Sequence, residues 1–319
     1  MASSCFFRVC GDLKRGGKRL LCNAAQAREG VFRHLHQRAY PAFASSGSAG
    51  MNYRHAFHAG NFADVAKHLA LVSVLLHLRK KQTPFAVIDS HAGCGVYDLR
   101  GEEAVRTGEA ADGIGRLAGL DGGPPALKTY LELARTEGAY PGSPLIAAKL
   151  LRPQDRLVAV EKHPEDAAAL AVALKPFRKA RTENADGYAR LAALLPPPER
   201  RAAVLIDPPY EAADEFAEAA RALANALRRF ATGIYLVWFP IKSPGEADGF
   251  CGEVLAAGAR KALRLDVRLG ARREDRMTAA GLVIVNPPFG FEDEMRAALA
   301  LALPLMGGEA RFLWLTGEG

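Results

Sequence analysis

The sequence predicts an α/β protein in which a mostly parallel sheet is covered by helices on both faces. Short apolar runs of strand length, such as Phe85–Asp89 and Ala202–Asp207, recur along the chain. Stretches with apolar residues at helical spacing lie between them, as in Asn61–Lys80. Strands that alternate with helices favour a parallel sheet, because each helix carries the chain back across a face of the sheet.

Length, charge and cysteine content narrow the classes of protein to which the chain can belong. The 319 residues are enough for one large domain, and the longest apolar stretches are too short to span a membrane. The net charge of +7 lies mostly in residues 1–50, so the rest of the chain is nearly neutral. Total charge is therefore no evidence for or against a polyanionic partner. Five cysteines without a CxxC pair predict a reduced, cytoplasmic protein.

Residues 1–50 differ in composition from the rest of the chain. They are basic, rich in Arg, Ala, Ser and Gly, and end in Ser-Ser-Gly-Ser-Ala-Gly before Met51. An organellar targeting peptide is one interpretation. A translation start assigned too early, with Met51 as the true first residue, is the other and is favoured by the composition. In both cases we expect a disordered extension over 1–50 and one folded domain over 51–319.

The elements after Met51 follow a regular order. Asn61–Lys80 is predicted to be a helix and Phe85–Asp89 the first strand. Residues 98–140 lack strand signals and are predicted to form a mostly helical insertion, which a helix ending near Leu151 follows. Further strands are predicted at 157–161, 180–183, 202–207, 233–239, 262–269, 281–285 and 311–315, with helices between most of them. This pattern indicates one Rossmann-like domain.

The ends of the first three strands carry residues typical of an adenosyl cofactor site. In a doubly wound sheet the ligand lies at the carboxyl ends of the strands. Asp89-Ser-His-Ala-Gly-Cys-Gly95 has glycines, Gly93 among them, where the backbone can approach a ligand closely. Glu161 suits the two hydroxyls of a ribose, and Asp186-Gly187 can face an adenine amino group. Each has an ordinary explanation as a turn or a solvated acid, but their order is that of a cofactor site.

The motif Asp207-Pro208-Pro209-Tyr210 after the fourth predicted strand indicates the reaction. An aromatic amine such as adenine N6 is a poor nucleophile, because its lone pair is delocalised into the ring. The Asp207 carboxylate and the Pro208 carbonyl can accept hydrogen bonds from the two amine hydrogens. Tyr210 offers a ring face on which the base can stack. The motif therefore predicts an S-adenosylmethionine-dependent methyltransferase that acts on an exocyclic amine.

A second copy of the pattern, Asn286-Pro287-Pro288-Phe289, also follows an apolar strand. Asn286 can accept from an amine as well, but the strand lies outside the cofactor-binding half of the predicted sheet. We therefore expect this copy to be a strand terminator.

The run from Tyr53 to Asn61 interleaves basic and aromatic residues. Tyr53 and Arg54 are candidates to stack on bases and hold phosphates of a nucleic acid. Lys67 and His68 follow on the first predicted helix and can reach a cofactor carboxylate. No spacing of histidines resembles a zinc site, so we expect no metal.

These motifs, with Tyr140–Pro144 and Met277–Gly281, closely resemble the RlmJ family of bacterial 23S ribosomal RNA adenine-N6 methyltransferases over residues 51–319. The resemblance implies a class I methyltransferase fold, with 98–140 as a small helical subdomain. It implies that Asp207 is catalytic and that Tyr53 contacts the RNA. It also implies an S-adenosylmethionine pocket lined by Lys67, His68, His91, Ser143, Glu161, Asp186 and Gly187.

The expected partner is 23S ribosomal RNA, protein-free or early in assembly, because the target adenine must be unstacked. We expect a monomer without a membrane or metal partner. Two alternatives stay open: a DNA adenine-N6 methyltransferase, and a non-catalytic nucleic-acid-binding or DNA-uptake factor with the same fold. A nicotinamide dehydrogenase is less favoured, because the glycine turn lacks the three-glycine fingerprint.

Overall fold

The computed structural model describes residues 55–135, 138–270 and 276–316. Residues 1–50, for which the sequence predicts a disordered extension, lie outside the described residues. So do Tyr53 and Arg54. No helix in the described ranges combines the length and the apolar character needed to cross a membrane.

The first half of the described chain builds one central strand, the helix that covers it and a small insertion. Helix α1 begins after Asn61, whose side chain accepts hydrogen bonds from the backbone N–H groups of Ala63 and Asp64. The elements are α1 (Phe62–Arg79), β1 (Ala86–Asp89), β2 (Val96–Asp98), α2 (Glu102–Thr107), α3 (Glu109–Asp112), α4 (Pro125–Ala134), β3 (Ala139–Pro141) and α5 (Ser143–Leu150).

The second half completes the sheet. Its elements are β4 (Arg156–Glu161), α6 (Pro164–Leu174), β5 (Ala180–Asn184), α7 (Gly187–Leu194), β6 (Ala202–Ile206), α8 (Glu215–Arg229), β7 (Ile234–Pro240), α9 (Pro244–Ala256), β8 (Ala262–Leu269), β9 (Ala279–Val285), α10 (Phe291–Ala302) and β10 (Gly308–Trp314). The strand order is β10-β8-β9-β7-β6-β1-β4-β5. Strands β5, β4, β1, β6 and β7 are mutually parallel, whereas β9 and β10 run antiparallel to their neighbours. The predicted Rossmann-like α/β fold is confirmed.

Two apolar cores, one on each face of the sheet, explain why the central strands are continuous apolar runs. All residues of β1 and β6 are buried. Val87 and Leu205 belong to the core that contains α1, whereas Ile88 and Val204 belong to the core that contains α8. Each such side chain contributes roughly 1.5–3 kcal/mol to folding. The strand order reverses between β1 and β6, which is where ligands bind in such sheets.

The expectation that 98–140 lacks strands is wrong at both ends of the segment. Strands β2 and β3 pair antiparallel, with Tyr97 opposite Tyr140. Three residues per strand are too few to produce a recognisable alternation of apolar and polar residues, so the sequence gives no signal for them. Between these strands the segment contains the short helices α2, α3 and α4, as the predicted helical insertion requires.

The second Pro-Pro motif and Asp207 lie at opposite ends of the strands, because β9 is antiparallel to β7. The Asn286 side chain donates hydrogen bonds to the backbone carbonyls of Ala231 and Gly233, next to the start of β7. Asn286 is thus a strand terminator, as predicted. The direction of β9, which places Asn286 at the other end of the sheet from Asp207, is the reason that this copy of the motif lies away from the cavity.

Candidate active site

A cavity of about 1050 Å³ opens at the carboxyl edge of the parallel strands. Its lining includes every predicted site residue that the structure describes. These residues are Lys67, His68, His91, Gly93, Ser143, Glu161, Asp186, Gly187, Asp207, Pro208 and Tyr210. They come from α1, β4, α5 and α7 and from the loops after β1, β5 and β6, so the fold brings together residues that the sequence separates widely.

Strand register places four polar side chains in a row along this edge. Asp89 is the last residue of β1 and pairs with Ala159 of β4 and Leu205 of β6. Glu161 ends β4, Asp207 follows β6, and Trp238 lies near the end of β7. Side chains two residues apart on a strand share a face. Asp89, Asp207 and Trp238 therefore face the side of the sheet covered by α1, as do Val87, Leu205 and Leu236.

The Glu161 carboxylate is fixed by two backbone donors. The N–H groups of Gly93 and His163 each donate to one of its oxygens at 2.8 Å. Gly93 has φ +60°, and a Cβ there would lie 2.2 Å from the Tyr97 hydroxyl, so only glycine fits this turn. A carboxylate has about four acceptor sites. Glu161 can therefore accept further hydrogen bonds from a ligand in the cavity.

Asp89 is a buried carboxyl with one unsatisfied oxygen. The Ser143 hydroxyl donates to Oδ2 at 2.6 Å, but Oδ1 has no partner among the described residues. Burial raises the pKa of Asp89 to about 7, although the Ser143 hydrogen bond acts in the opposite direction. Asp89 does not itself line the cavity, but its partner Ser143 does, so a cation bound there would stabilise the ionised form of Asp89.

Lys67 is a buried cation held between two carboxylates. Its Nζ lies 2.7 Å from Oδ1 of Asp64 and 2.5 Å from Oδ2 of Asp207. Burial by itself would lower the pKa of Lys67, but the charges of Asp207 and Asp64 outweigh it and raise the pKa above its usual range. Lys67 therefore stays protonated and orients Asp207. That Lys67 also reaches a cofactor carboxylate stays a prediction.

The two predicted site histidines are neutral. A ring nitrogen of His68 lies 2.7 Å from the Tyr140 hydroxyl, and burial lowers the pKa of His68 to about 3. His91 shares a 2.8 Å hydrogen bond with Ser90, and burial lowers its pKa to about 4. Neither histidine adds positive charge to the cavity near neutral pH.

Tyr210 is less open than the sequence predicts. Its ring packs against Phe216 and Trp238 at centroid distances of 4.5 and 5.6 Å, and its hydroxyl donates to the Trp238 carbonyl at 2.7 Å. Tyr210 is only 6% exposed, because packing against other aromatic rings removes its apolar surface from water. Stacking of a base on this ring requires the ring to be uncovered.

Three further cavity residues carry buried polar atoms without a partner in the described part of the chain. These atoms are the Trp238 indole nitrogen, the Tyr188 hydroxyl and one oxygen of Glu215. Sequence reasoning missed all three. Trp238 lies inside an apolar strand, and Tyr188 and Glu215 lie in the first turns of α7 and α8, where no motif includes them. The described residues contain no cluster of His, Cys, Asp and Glu that could hold a metal ion.

The chain is similar to known proteins in sequence and in structure. The model of the family described as ribosomal RNA large subunit methyltransferase D, RlmJ, matches residues 82–316. The chain is 38% identical to the Escherichia coli protein named ribosomal RNA large subunit methyltransferase J, over 84% of this chain and 100% of that protein. The protein of the same name from Haemophilus influenzae is 36% identical over the same shares. A Legionella pneumophila crystal structure is similar with a TM-score of 0.73 and 32% identity, over 81% of this chain and 98% of that chain.

Proposed function

The chain belongs to the RlmJ family of ribosomal RNA large subunit methyltransferases, and we propose that it methylates the N6 amine of an adenine in 23S ribosomal RNA with S-adenosylmethionine. One observation carries the proposal. Glu161 and Asp186, which suit an adenosyl cofactor, line the same cavity as Asp207 and Pro208, which suit an amine. A methyltransferase needs both sets of groups in contact with one enclosed space.

The cavity residues fit this cofactor. Glu161 is fixed by two backbone N–H groups and keeps acceptor sites for the ribose hydroxyls. Asp89 lies behind the lining, bonded to Ser143, and its carboxylate favours a positively charged group in the cavity. Asp186 and Gly187 suit the adenine, and Ser143, His68 and His91 complete this side of the cavity. When bound, S-adenosylmethionine supplies a methyl group already activated by its sulfonium charge.

The electrostatics of the lining favour a cationic ligand. The lining has more acidic than basic side chains: Asp64, Glu161, Asp166, Asp186, Asp207, Glu211, Glu215 and Glu218 against Lys67, Lys162, Lys242 and Arg276. The buried cation, Lys67, is neutralised by Asp64 and Asp207, and burial keeps both histidines uncharged. Lys67 therefore acts on the orientation of Asp207, and the net field at the cavity attracts positive charge.

Asp207 and Pro208 polarise the substrate amine. Lys67 occupies Oδ2 of Asp207, which leaves Oδ1 to accept one amine hydrogen. The Pro208 carbonyl accepts the other, and these two contacts turn the nitrogen lone pair toward the methyl group. The amine loses a proton after transfer, to Asp207 or to water. Such groups typically contribute about 10²- to 10⁴-fold to a rate.

The remaining assignments are also proposals. Tyr53 and Arg54 contact the RNA, and Tyr210 stacks on the target base once its ring is uncovered. The substrate is protein-free or early-assembly RNA, because the target adenine must leave its stack before it reaches a recessed Asp207. The protein acts as a monomer.

The test is methyl transfer to 23S ribosomal RNA from cells that lack this activity. The protein and labelled S-adenosylmethionine are incubated with this RNA, and the modified base is mapped. We expect one N6-methyladenine. Equal methylation of a DNA oligonucleotide of the same sequence would favour a DNA methyltransferase, and tight RNA binding without transfer would favour a non-catalytic factor.

A further inference from the structure

The indole nitrogen of Trp238 is a buried donor that the fold does not use. The atom is shielded from solvent, has no hydrogen-bond partner among the described residues, and belongs to a residue that lines the cavity. The other tryptophan differs, since Nε1 of Trp314 donates to Glu292 at 2.8 Å. Buried indole donors normally have a partner. The Trp238 donor is therefore suited to a ligand acceptor.

Strand register places Trp238 next to Asp207. Ile206, the last residue of β6, pairs with Val237 of β7, so Asp207, directly after β6, lies next to Trp238 of β7. Neighbouring strands lie about 4.8 Å apart, and equivalent positions on them share a face. The Tyr210 hydroxyl donates to the Trp238 carbonyl and its ring packs on the indole. The Asp207–Tyr210 loop and Trp238 are thus one packed unit.

The chemistry of adenine matches this pair of groups. The N6 amine donates two hydrogen bonds and is flanked by N1 and N7, two ring nitrogens that carry no hydrogen and can only accept. An adenine whose amine is held by Asp207 presents one of these acceptors next to the amine. A single N–H donor on the adjacent strand complements it, whereas a second carboxylate there would repel it.

We propose that Trp238 reads the target base: its Nε1–H donates a hydrogen bond to N1 or N7 of the adenine. This contact fixes the rotation of the base in its plane, so that the amine meets both Asp207 and the Pro208 carbonyl. The inference rests on the proposed function, because it needs an adenine held by Asp207. It adds a base-contacting residue that the amine-binding motif does not contain.

The test combines atomic changes in the RNA with a variant of the protein. RNA fragments that contain the mapped target carry adenosine, 1-deazaadenosine or 7-deazaadenosine at that position, and all three keep the N6 amine. The value of kcat/KM is measured for the wild-type protein, for Trp238→Phe and for the control Trp314→Phe. Affinity for the cofactor and the thermal unfolding midpoint are measured for each protein.

We expect the wild-type protein to lose about 10- to 100-fold in kcat/KM on one deaza substrate, since a buried donor is then left without its acceptor. Trp238→Phe should lose a similar factor in kcat/KM on the adenosine RNA. Its kcat/KM on the affected deaza RNA should be no lower than on the adenosine RNA. Its cofactor affinity should be unchanged, and Trp314→Phe should behave as wild type. Which analogue is affected identifies N1 or N7.

Two results would overturn the inference. One is equal wild-type turnover of all three RNAs, a comparison that does not depend on the folding of any variant. The other is a Trp238→Phe protein that discriminates against the deaza substrate as strongly as wild type. Failure of the wild-type protein to methylate the natural RNA at all is a different result, because it contradicts the proposed function itself.

Discussion

Nζ of Lys67 in α1 lies 2.5 Å from Oδ2 of Asp207 at the end of β6, and this ion pair joins the first helix to the amine-binding loop. The Lys67 and Asp207 side chains are 5% and 13% exposed, so water screens the pair weakly. Asp64 lies one helical turn before Lys67 and supplies a second carboxylate to the same nitrogen.

Replacement of Asp207 by Ala should abolish methyl transfer without loss of cofactor binding. The substitution removes the acceptor that polarises the amine, whereas Glu161 and Asp89 remain in place for the cofactor. We expect the single-turnover rate to fall by at least about 10²-fold. Rapid-quench measurement of labelled RNA gives the rate, and calorimetry gives the cofactor affinity. Turnover at the wild-type rate in this variant would remove Asp207 from the mechanism.

Replacement of Lys67 by Met should destabilise the fold strongly. Asp64 and Asp207 would lose the cation between them, and Asp64 is only 2% exposed. Breaking a buried pair by removal of one partner costs about 3–5 kcal/mol. The matched control is Arg116→Met, which breaks an exposed pair with Asp112 and should cost less than about 1 kcal/mol. Urea unfolding measures both free energies, and equal values for the two variants would contradict the structural role of Lys67.

The sequence predicts the sheet and much of the site, but not the contacts between distant strands. Continuous apolar runs such as Ala202–Ile206 predict buried strands, and the motifs at their ends identify Glu161 and Asp207. Trp238 carries no local signal, because its exposure to the cavity depends on the register of β7 against β6. The Lys67 pairing and the covered ring of Tyr210 likewise depend on packing between elements that are distant in the chain.

Cofactor affinity should depend on pH through Asp89. Burial raises the pKa of this carboxyl to about 7, so a growing fraction is neutral as the pH falls below 7. The neutral form attracts a cationic ligand less than the carboxylate does. We expect the affinity for S-adenosylmethionine to rise between pH 6 and pH 8, by at most about tenfold per pH unit, the limit for one proton. Calorimetry across this range is the measurement.

Asp89→Asn is the matched control for that pH dependence. Asn keeps the size of the side chain and its contact with Ser143, but it cannot ionise. The variant should bind the cofactor weakly and with little change between pH 6 and pH 8. An unaltered pH dependence in Asp89→Asn would assign the titration to another group.

Gly187→Ala should damage the cofactor side of the cavity through backbone contact alone. A Cβ at this position would lie 1.9 Å from the carbonyl oxygen of Ser90, which belongs to the turn after β1 and cannot move as a side chain can. Relief of this contact must shift either the start of α7 or that turn, and overpacking of this kind costs about 1–3 kcal/mol. We therefore expect lower stability and at least about tenfold weaker cofactor binding, measured by urea unfolding and calorimetry.

Gly249→Ala is the control for this change, because a Cβ at that helical position of α9 meets no atom within 4 Å. Alanine restricts the unfolded chain and favours helix, so this variant should be as stable as wild type or more stable by about 0.4–1 kcal/mol. Gly249 is not among the residues that line the cavity, so cofactor affinity should not change. If Gly187→Ala matched Gly249→Ala in both measurements, the contact between Gly187 and the Ser90 carbonyl would not constrain the cofactor site.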